Sequence, residues 1–492
     1  MKFSLNIRLV FLILSMVSVI LGGTMLIGLA VSLVYREPGM TRIFLTLLIV
    51  FVAAGLAGMR LSRHNLKAQA IKIREGILAV TLCWVFAAAL GALPYLLAGS
   101  HHSFIDAFFE STACITTTGS TLIENLADLP KSLLFWRQFT NWIGGLGIII
   151  FAITIIPMLG FGAANLASAE TTGQTVERIR SRMSDMARGI SILFVVLTGA
   201  EIMLLLAGGT GLYDAFVLSF GSLGNGGFAN YHADLLSEDS MYIEAVIAIF
   251  CIVASMSFVS YQLLLKRRVG DFFKETEIRM FLGMAAVFAV LIFFILAVSK
   301  TYDSAAEAAR HGVFQTLSFI TTAGYKSADF DAWPRVTHWL LLIVMVVGGC
   351  SGSTSGGVKV VRAAVALSLI RRNIYKRLHP NAVVAVKLGD KAVPADRVSS
   401  IATFMILYVL VTLFSCVVLS LENLDAETTL GTVVAMLSNT GLVIGPGLGY
   451  GDAFTVFSQF SRVYMSLLMI AGRLELFTIV LLFSPAFWRP YR

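Results

Sequence analysis

The sequence predicts an all-α polytopic membrane protein: four pseudo-repeated span–pore-loop–span units around one pore, plus an N-terminal two-span hairpin. Three observations carry this. The 492 residues are 57 % hydrophobic and 13 % charged, far too little charge for a water-facing surface of that size. Apolar runs of about 20 residues or more recur along the chain. Between them, four short segments end on a strip of Thr, Ser, Asn and Gly in a shared register.

The hairpin occupies 1–75, with spans near 9–34 and 42–60. Lys2 and Arg8 precede the first run. That run is longer than the apolar core of a cleaved signal, roughly 7–15 residues, so it reads as a retained span. Four units follow, at 76–188, 189–277, 278–398 and 399–492. Their span pairs lie near 76–98 and 137–160, 189–208 and 241–265, 278–299 and 336–370, and 399–420 and 458–484. The run 336–370 is too long for one straight crossing.

Charge sets the orientation. Alternate connections are basic: Arg60, Arg63, Lys67, Lys72 and Arg74; Arg178, Arg180, Arg182 and Arg188; Lys266, Arg267 and Arg268; and RRNIYKR at 371–377. The positive-inside rule places these in the cytoplasm, and an even number of spans then puts both termini there. The opposite side carries Asp106, Glu110, Glu124, Asp128, Asp214, Asp303 and Asp425 among other acids. Membrane orientation accounts for the basic face without nucleic acid. The acidic side reads either as a mouth that concentrates cations or as ordinary solvated loops.

The short segments read DAFFESTACITTTG (106–119), DAFVLSFGSLGNGG (214–227), HGVFQTLSFITTAG (311–324) and TTLGTVVAMLSNTG (428–441). Their final glycines are 108, 97 and 117 residues apart, a repeat of whole structural units. Each segment is too short to cross the bilayer and lies between spans that end on the same side, so it dips in and returns. Irregular backbone at membrane depth needs burial in protein or a water-filled cavity. The strips are Thr116, Thr117, Thr118 and Gly119; Gly224, Asn225, Gly226 and Gly227; Thr321, Thr322, Ala323 and Gly324; and Ser438, Asn439, Thr440 and Gly441. Inward carbonyls replace the water shell of a dehydrated cation. Glycine allows the φ > 0 conformations that aim successive carbonyls alike. The hydroxyls add oxygen ligands or tie the strip to its helix. In the second strip Gly226 and Gly227 compete for the key position.

Residues 348–357, GGCSGSTSGG, interrupt the long run 336–370. Glycines weaken a helix, so Gly348, Gly349, Gly352, Ser353, Gly356 and Gly357 read as a mobile loop between half-helices. As a gate below the strips, its stiffening changes opening and leaves ion selectivity alone. Close helix packing by small residues is the other reading. GSTSGGVK resembles a phosphate loop, but Val358 stands where lysine is required, so no ATPase site is expected. Lys359 follows and reaches for phosphates or carbonyls. Arg473 lies inside the last span with Glu475 nearby; it is either an electrostatic barrier to cations or a partner for carbonyls of another span or Glu201. The polar stretch 376–398, with Gly389, Asp390 and Pro394, predicts a small cytoplasmic hairpin. The five cysteines have no CxxC spacing and the histidines are scattered, so neither a disulfide framework nor a transition-metal site is expected. The spans contain no nucleophile–base constellation, which predicts a non-enzyme without an organic cofactor.

The four-fold repeat resembles the Trk/Ktr/HKT superfamily of potassium transport proteins. The additional N-terminal span pair is similar to the TrkH-type branch. So are FWRQFTNWIGGLGIIIFAITIIPMLG (135–160), GGCSGSTSGGVKVVR (348–362) and GRLELFTIVLLFSPAFWR (472–489). The resemblance covers nearly the whole chain. It implies K+ as the transported ion, bound at a filter centred on Gly119, Gly227, Gly324 and Gly441. It also implies gating by the 348–357 loop with Arg473, a homodimer in the bacterial inner membrane, and a cytosolic, nucleotide-binding RCK-type subunit, TrkA in this branch. Glycine at 119 favours potassium, since serine there goes with sodium transport in related plant proteins. A carrier coupling K+ to Na+ or H+ is the alternative, for which buried Glu201 and Glu475 are the candidates. The fourth loop departs from the pattern by inserting LVIG before PGLG.

Overall fold

The computed structural model describes residues 5–63, 73–154, 176–227, 240–446, 448 and 454–489. Six described helices are long and apolar enough to cross a membrane: Ile7–Val34, Pro38–Ser62, Arg74–Leu97, Asp185–Ala207, Thr276–Val298 and Ala395–Glu422. They are the N-terminal hairpin and the outer helix of each repeat, numbered 1 to 4 in chain order.

The inner segments differ from straight spans: the break within 336–370 was expected, whereas those within 241–265 and 458–484 were not. Inner helix 1, Lys131–Thr154, is continuous over its described length; residues 155–160 of the predicted span lie outside the described residues. Inner helix 2, Met241–Ser255, breaks before a short piece at Tyr261–Leu265. Inner helix 3, Arg335–Val347, is followed by irregular chain and then Val360–Leu378. Inner helix 4, Gln459–Arg473, turns by 117° into Phe477–Phe483. Breaks of this kind need protein or a polar cavity around them rather than lipid, and they place these segments at the centre of the assembly.

Each outer helix leads to a pore helix: Phe104–Ile115, Leu212–Gly224, Ala305–Ile320 and Ala426–Leu437. With 12, 13, 16 and 12 residues, they measure about 18–24 Å, short of the roughly 30 Å hydrocarbon layer. Their starts are set by sequence. Ser103, Ser304 and Asp425 accept from Ile105, Glu307 and Thr428 N–H at 3.1, 3.1 and 2.9 Å, and each first turn holds an acid, Asp106, Asp214, Glu307 or Glu427. Such caps satisfy otherwise unpaired donors and complement the positive helix end.

The N-terminal hairpin packs through small residues. A Cβ on Gly28 would enter the Phe44 ring, and one on Gly58 would meet the Ser15 hydroxyl. Ser18 Oγ donates to Phe51 O at 2.9 Å. Close backbone approach is what small residues provide where the hydrophobic effect gives no drive. The turn after the first helix delivers Glu37, whose carboxylate accepts from Lys131 N at 2.7 Å and Ser132 N at 3.2 Å. This joins the hairpin to the start of inner helix 1. Near the other end of the molecule, Lys387–Leu388 pairs with Lys391–Ala392 around Gly389 (φ +60°), forming the hairpin expected within 376–398.

Candidate ion pathway

The four strips share one backbone conformation. Their second residues, Thr117, Asn225, Thr322 and Asn439, have φ of +57°, +54°, +55° and +52°. Asparagine tolerates this region, but for β-branched threonine it is an outlier, with a cost of order 1–3 kcal/mol that surrounding contacts must hold in place. Gly119, Gly324 and Gly441 in fourth position have φ of +87°, +76° and +76°. Alternation of positive and ordinary φ turns successive carbonyls to one side. The common left-handed second residue also fixes the register of strip 2. Gly227 is its fourth residue, and Gly224 is still the last residue of its pore helix.

The third-residue carbonyls form a closed ring. A Cβ on Gly441 would collide with Thr118 O, one on Gly324 with Thr440 O, and one on Gly227 with Ala323 O at 2.5 Å. Beside Gly119 the Gly226 carbonyl lies 3.8 Å from such a Cβ. Repeats 1, 4, 3 and 2 therefore meet in turn and return to repeat 1. Strip residues Thr116, Thr117, Thr118, Asn225, Thr321, Thr322, Ala323, Ser438, Asn439 and Thr440 are buried. Four pore helices run directly into the ring, each ending with about half a unit of negative partial charge. Carbonyl oxygens and helix C-termini together favour a cation.

Side chains hold the strips to their scaffolds. Thr116, Thr321 and Ser438 donate back to pore-helix carbonyls Thr112, Leu317 and Val434 at 2.7, 2.7 and 2.5 Å. The equivalent residue of strip 2 is Gly224, which has no hydroxyl. Asn141 of inner helix 1 compensates, donating to Phe220 O at 3.3 Å and Gly226 O at 3.1 Å. Asn439 Nδ2 donates to Thr118 Oγ1 at 3.0 Å and to Met469 O at 2.8 Å, joining strip 4 to strip 1 and to inner helix 4.

A second ring of ties links each inner helix to the next pore helix. Arg310 pairs with Glu244 at 2.8 Å, His338 with Glu427 at 2.8 Å, and Arg462 with Asp106 at 2.5 Å. Between inner helix 1 and pore helix 2 the link is aromatic, with Phe135 and Phe220 centroids 5.6 Å apart and Tyr213 OH donating to Lys131 O at 2.8 Å. Within repeat 1, Arg137 Nε donates to Glu110 at 2.7 Å. Glu110 also accepts from Leu122 N at 2.9 Å and Thr121 Oγ1 at 3.0 Å, which anchors the chain leaving strip 1. Asp106 and Glu110, read in sequence as mouth acids, are thus committed to ion pairs. Asp425 is committed to a helix cap. Burial favours its neutral form, but hydrogen bonds from Thr428 outweigh this and hold its carboxyl below the usual aspartate range. Three further acids read on the same side, Asp234, Glu238 and Asp452, lie outside the described residues.

Below the strips, residues 348–359 form an irregular loop. Gly348, Gly352 and Gly357 have φ of +71°, +71° and +73°. The loop packs across the inner helices: Cys350 N donates to Ser255 O at 2.9 Å, Phe258 N to Gly352 O at 3.0 Å and Val358 N to Val346 O at 2.8 Å. Ser353 is buried, with Oγ donating to Cys350 O at 2.6 Å. A Cβ on Gly356 would fall onto Ser438 O, and one on Gly349 would stand 2.8 Å from Ser355 Oγ, so the loop sits directly beneath the strips. Lys359 is buried and donates to Ser355 O. Arg473, at the bend of inner helix 4, is buried and donates to Thr354 O at 2.8 Å and Gly144 O at 3.4 Å. The hydrogen-bond partners of Arg473 are thus carbonyls of the loop and of inner helix 1; Glu201 instead accepts from Ser222 Oγ at 2.5 Å. Glu475 pairs with Arg362.

Sequence reasoning missed Arg137, Asn141, Glu244, Ser255 and Arg310 as structural anchors. Polar side chains within apolar runs were their only local signal, and their partners lie a repeat away. Fold and site together define a polytopic α-helical membrane protein whose four re-entrant repeats enclose an oxygen-ringed axis. The TrkH family profile, described as cation transport protein, matches residues 39–489, and the chain belongs to that family. It is 34 % identical over 489 residues to the Trk system potassium uptake protein TrkH of Escherichia coli K12, covering 99 % of this chain and 100 % of that one. It is 30 % identical to TrkG of the same organism, with 95 % of each chain covered. The crystal structure of the potassium transporter TrkH from Vibrio parahaemolyticus superposes with a TM-score of 0.88 at 31 % identity, covering 99 % of this chain and 100 % of that chain.

Proposed function

We propose that this chain is the membrane subunit of a potassium uptake system of the inner membrane, with both termini cytoplasmic. K+ passes through the ring of Thr118, Gly226, Ala323 and Thr440 carbonyls, which replace its hydration shell. The observation that carries this is the closure of the ring, each glycine of one repeat lying against a carbonyl of the next. Loop 348–357 and Lys359 block the path below, and Arg473 both seats the loop through Thr354 and opposes cations by its charge. The repeat boundaries 76–188, 189–277, 278–398 and 399–492, homodimer formation and control by a cytosolic RCK-type subunit complete the reading; the relatives' designation as Trk system proteins supports it. Voltage supplies about 2.3 kcal/mol per charge at 100 mV.

The test is reconstitution of the purified chain in liposomes, with K+ and Na+ flux measured with and without the soluble subunit. Flux that favours K+ and responds to the subunit is expected; equal flux of both ions, or none, refutes the reading. A carrier coupling K+ to Na+ or H+ is the second reading, favoured by the buried Glu201, whose Oε2 has no partner among the described residues. Unitary current steps in planar bilayers rule that carrier out.

A further inference from the structure

We infer that Asn225 and Thr322 are positioning residues that join the loop to the carbonyl ring, so that the ion held in the ring decides whether the loop stays seated. The inference rests on the pore and gate reading above and deepens it. Read from sequence, loop and strips are separable parts; their contacts join them.

Both residues are second in their strips and left-handed, so their side chains fix the peptide that precedes the ring carbonyls Gly226 O and Ala323 O. Asn225 Nδ2 donates to Thr354 Oγ1 of the loop at 2.9 Å and to Ser255 Oγ at 2.9 Å. Thr354 Oγ1 donates its own hydrogen bond to Ala254 O at 3.0 Å, which leaves its lone pairs for Asn225. Thr322 Oγ1 accepts from Gly356 N of the loop at 2.7 Å and lies 3.2 Å from Ser355 Oγ. Ser355 Oγ in turn accepts from Gly349 N at 2.9 Å. Three consecutive loop residues, Thr354, Ser355 and Gly356, therefore hold strips 2 and 3, and Gly356 abuts Ser438 O of strip 4. Asn439, the matching residue of strip 4, is held by Thr118 and Met469 instead. Among the described residues, only strips 2 and 3 carry the side-chain link.

Two elements that share hydrogen bonds bias each other equally, since coupling between sites is reciprocal. A K+ ion that fills the ring holds strips 2 and 3 in the geometry that receives the loop. A smaller Na+ ion draws the carbonyls from that geometry and weakens the loop's seat. Loop exposure then depends on which ion is present.

The experiment places a cysteine in the buried loop, S353C, in the full chain reconstituted in liposomes. Labelling by a small methanethiosulfonate reagent is timed in K+ and in Na+, and the chain without S353C corrects for the five native thiols. Labelling several-fold faster in Na+ than in K+ is expected. In S353C with T354V and T322V, which remove the hydroxyls with little change of shape, the two rates become equal. Equal rates in S353C alone, including no labelling in either ion, or a faster rate in K+, overturn the coupling. Ion dependence that survives both valine substitutions overturns Asn225 and Thr322 as its route. Selective K+ flux from the same liposomes with ion-independent labelling leaves the pore reading standing, whereas absent K+ flux from the unsubstituted chain refutes that reading itself.

Discussion

Serine substitution of the four strip glycines separates two costs that the structure assigns differently. At Gly119 the nearest atom to an added Cβ is 3.5 Å away, an ordinary contact. The cost there is the left-handed φ of +87°, about 1–2 kcal/mol for a residue with a side chain. At Gly227 φ is ordinary, but a Cβ would stand 2.5 Å from Ala323 O, and normal contact begins at 3.4 Å. That ring carbonyl has to retreat by about 0.9 Å. Gly324 and Gly441 bear both costs, since each is left-handed and each faces a carbonyl of the next repeat. G119S should fold and conduct with lowered preference for K+. The strain converts to roughly 5–30-fold in whichever equilibrium absorbs it, at tenfold per about 1.4 kcal/mol. G324S and G441S should lose K+ preference altogether or fail to assemble, and G227S should fall between. The assay is K+ and Na+ flux from liposomes, with monodispersity in detergent as the control for folding. If G441S discriminates K+ from Na+ better than G119S, the assignment of these costs is wrong.

Three further outcomes are expected. G356A should raise flux in the absence of the soluble subunit, because its Cβ would fall onto Ser438 O and unseat the loop; unchanged flux from well-folded protein counts against the loop as a gate. E110Q or R137Q alone should lower stability by about 3–5 kcal/mol, since each leaves a buried charge without its ion-pair counterpart, with Glu110 and Arg137 only 0 % and 1 % exposed. The double variant should be more stable than R137Q, by thermal unfolding in detergent. Burial outweighs the attraction of Glu110 and holds His101 below its ordinary pKa of 6.5, so the unfolded chain binds more protons there. Stability should be full above that value and fall as pH drops below it toward the lowered folded pKa; an H101Q variant with the same pH dependence would exclude His101 as the source.

Spans, repeats and strips were legible in the sequence because each is written in local chemistry. A lipid-facing helix must be apolar along its length, as Ile7–Val34 and Thr276–Val298 are. A left-handed turn beside another backbone calls for glycine, so Gly119, Gly324 and Gly441 mark their strips wherever the chain goes. The irregular loop at 348–357 was legible for the same reason, since its five glycines weaken a helix. The choice between Gly226 and Gly227 was not, because both tolerate any φ; the left-handed Asn225, in register with Thr117, Thr322 and Asn439, decided it.

The order in which repeats meet, and what each polar side chain bonds to, belonged to the tertiary structure alone. Asn141 and Gly226 are 85 residues apart, Arg473 and Thr354 are 119, and Asn439 and Thr118 are 321. Hydropathy and turn preference act over a few residues, whereas a hydrogen bond between distant repeats depends on how whole helices close around the axis. The bend at Arg473 follows the same rule: its run is apolar enough for a straight span, and the carbonyls of Thr354 and Gly144 that accept from its guanidinium come from distant parts of the chain.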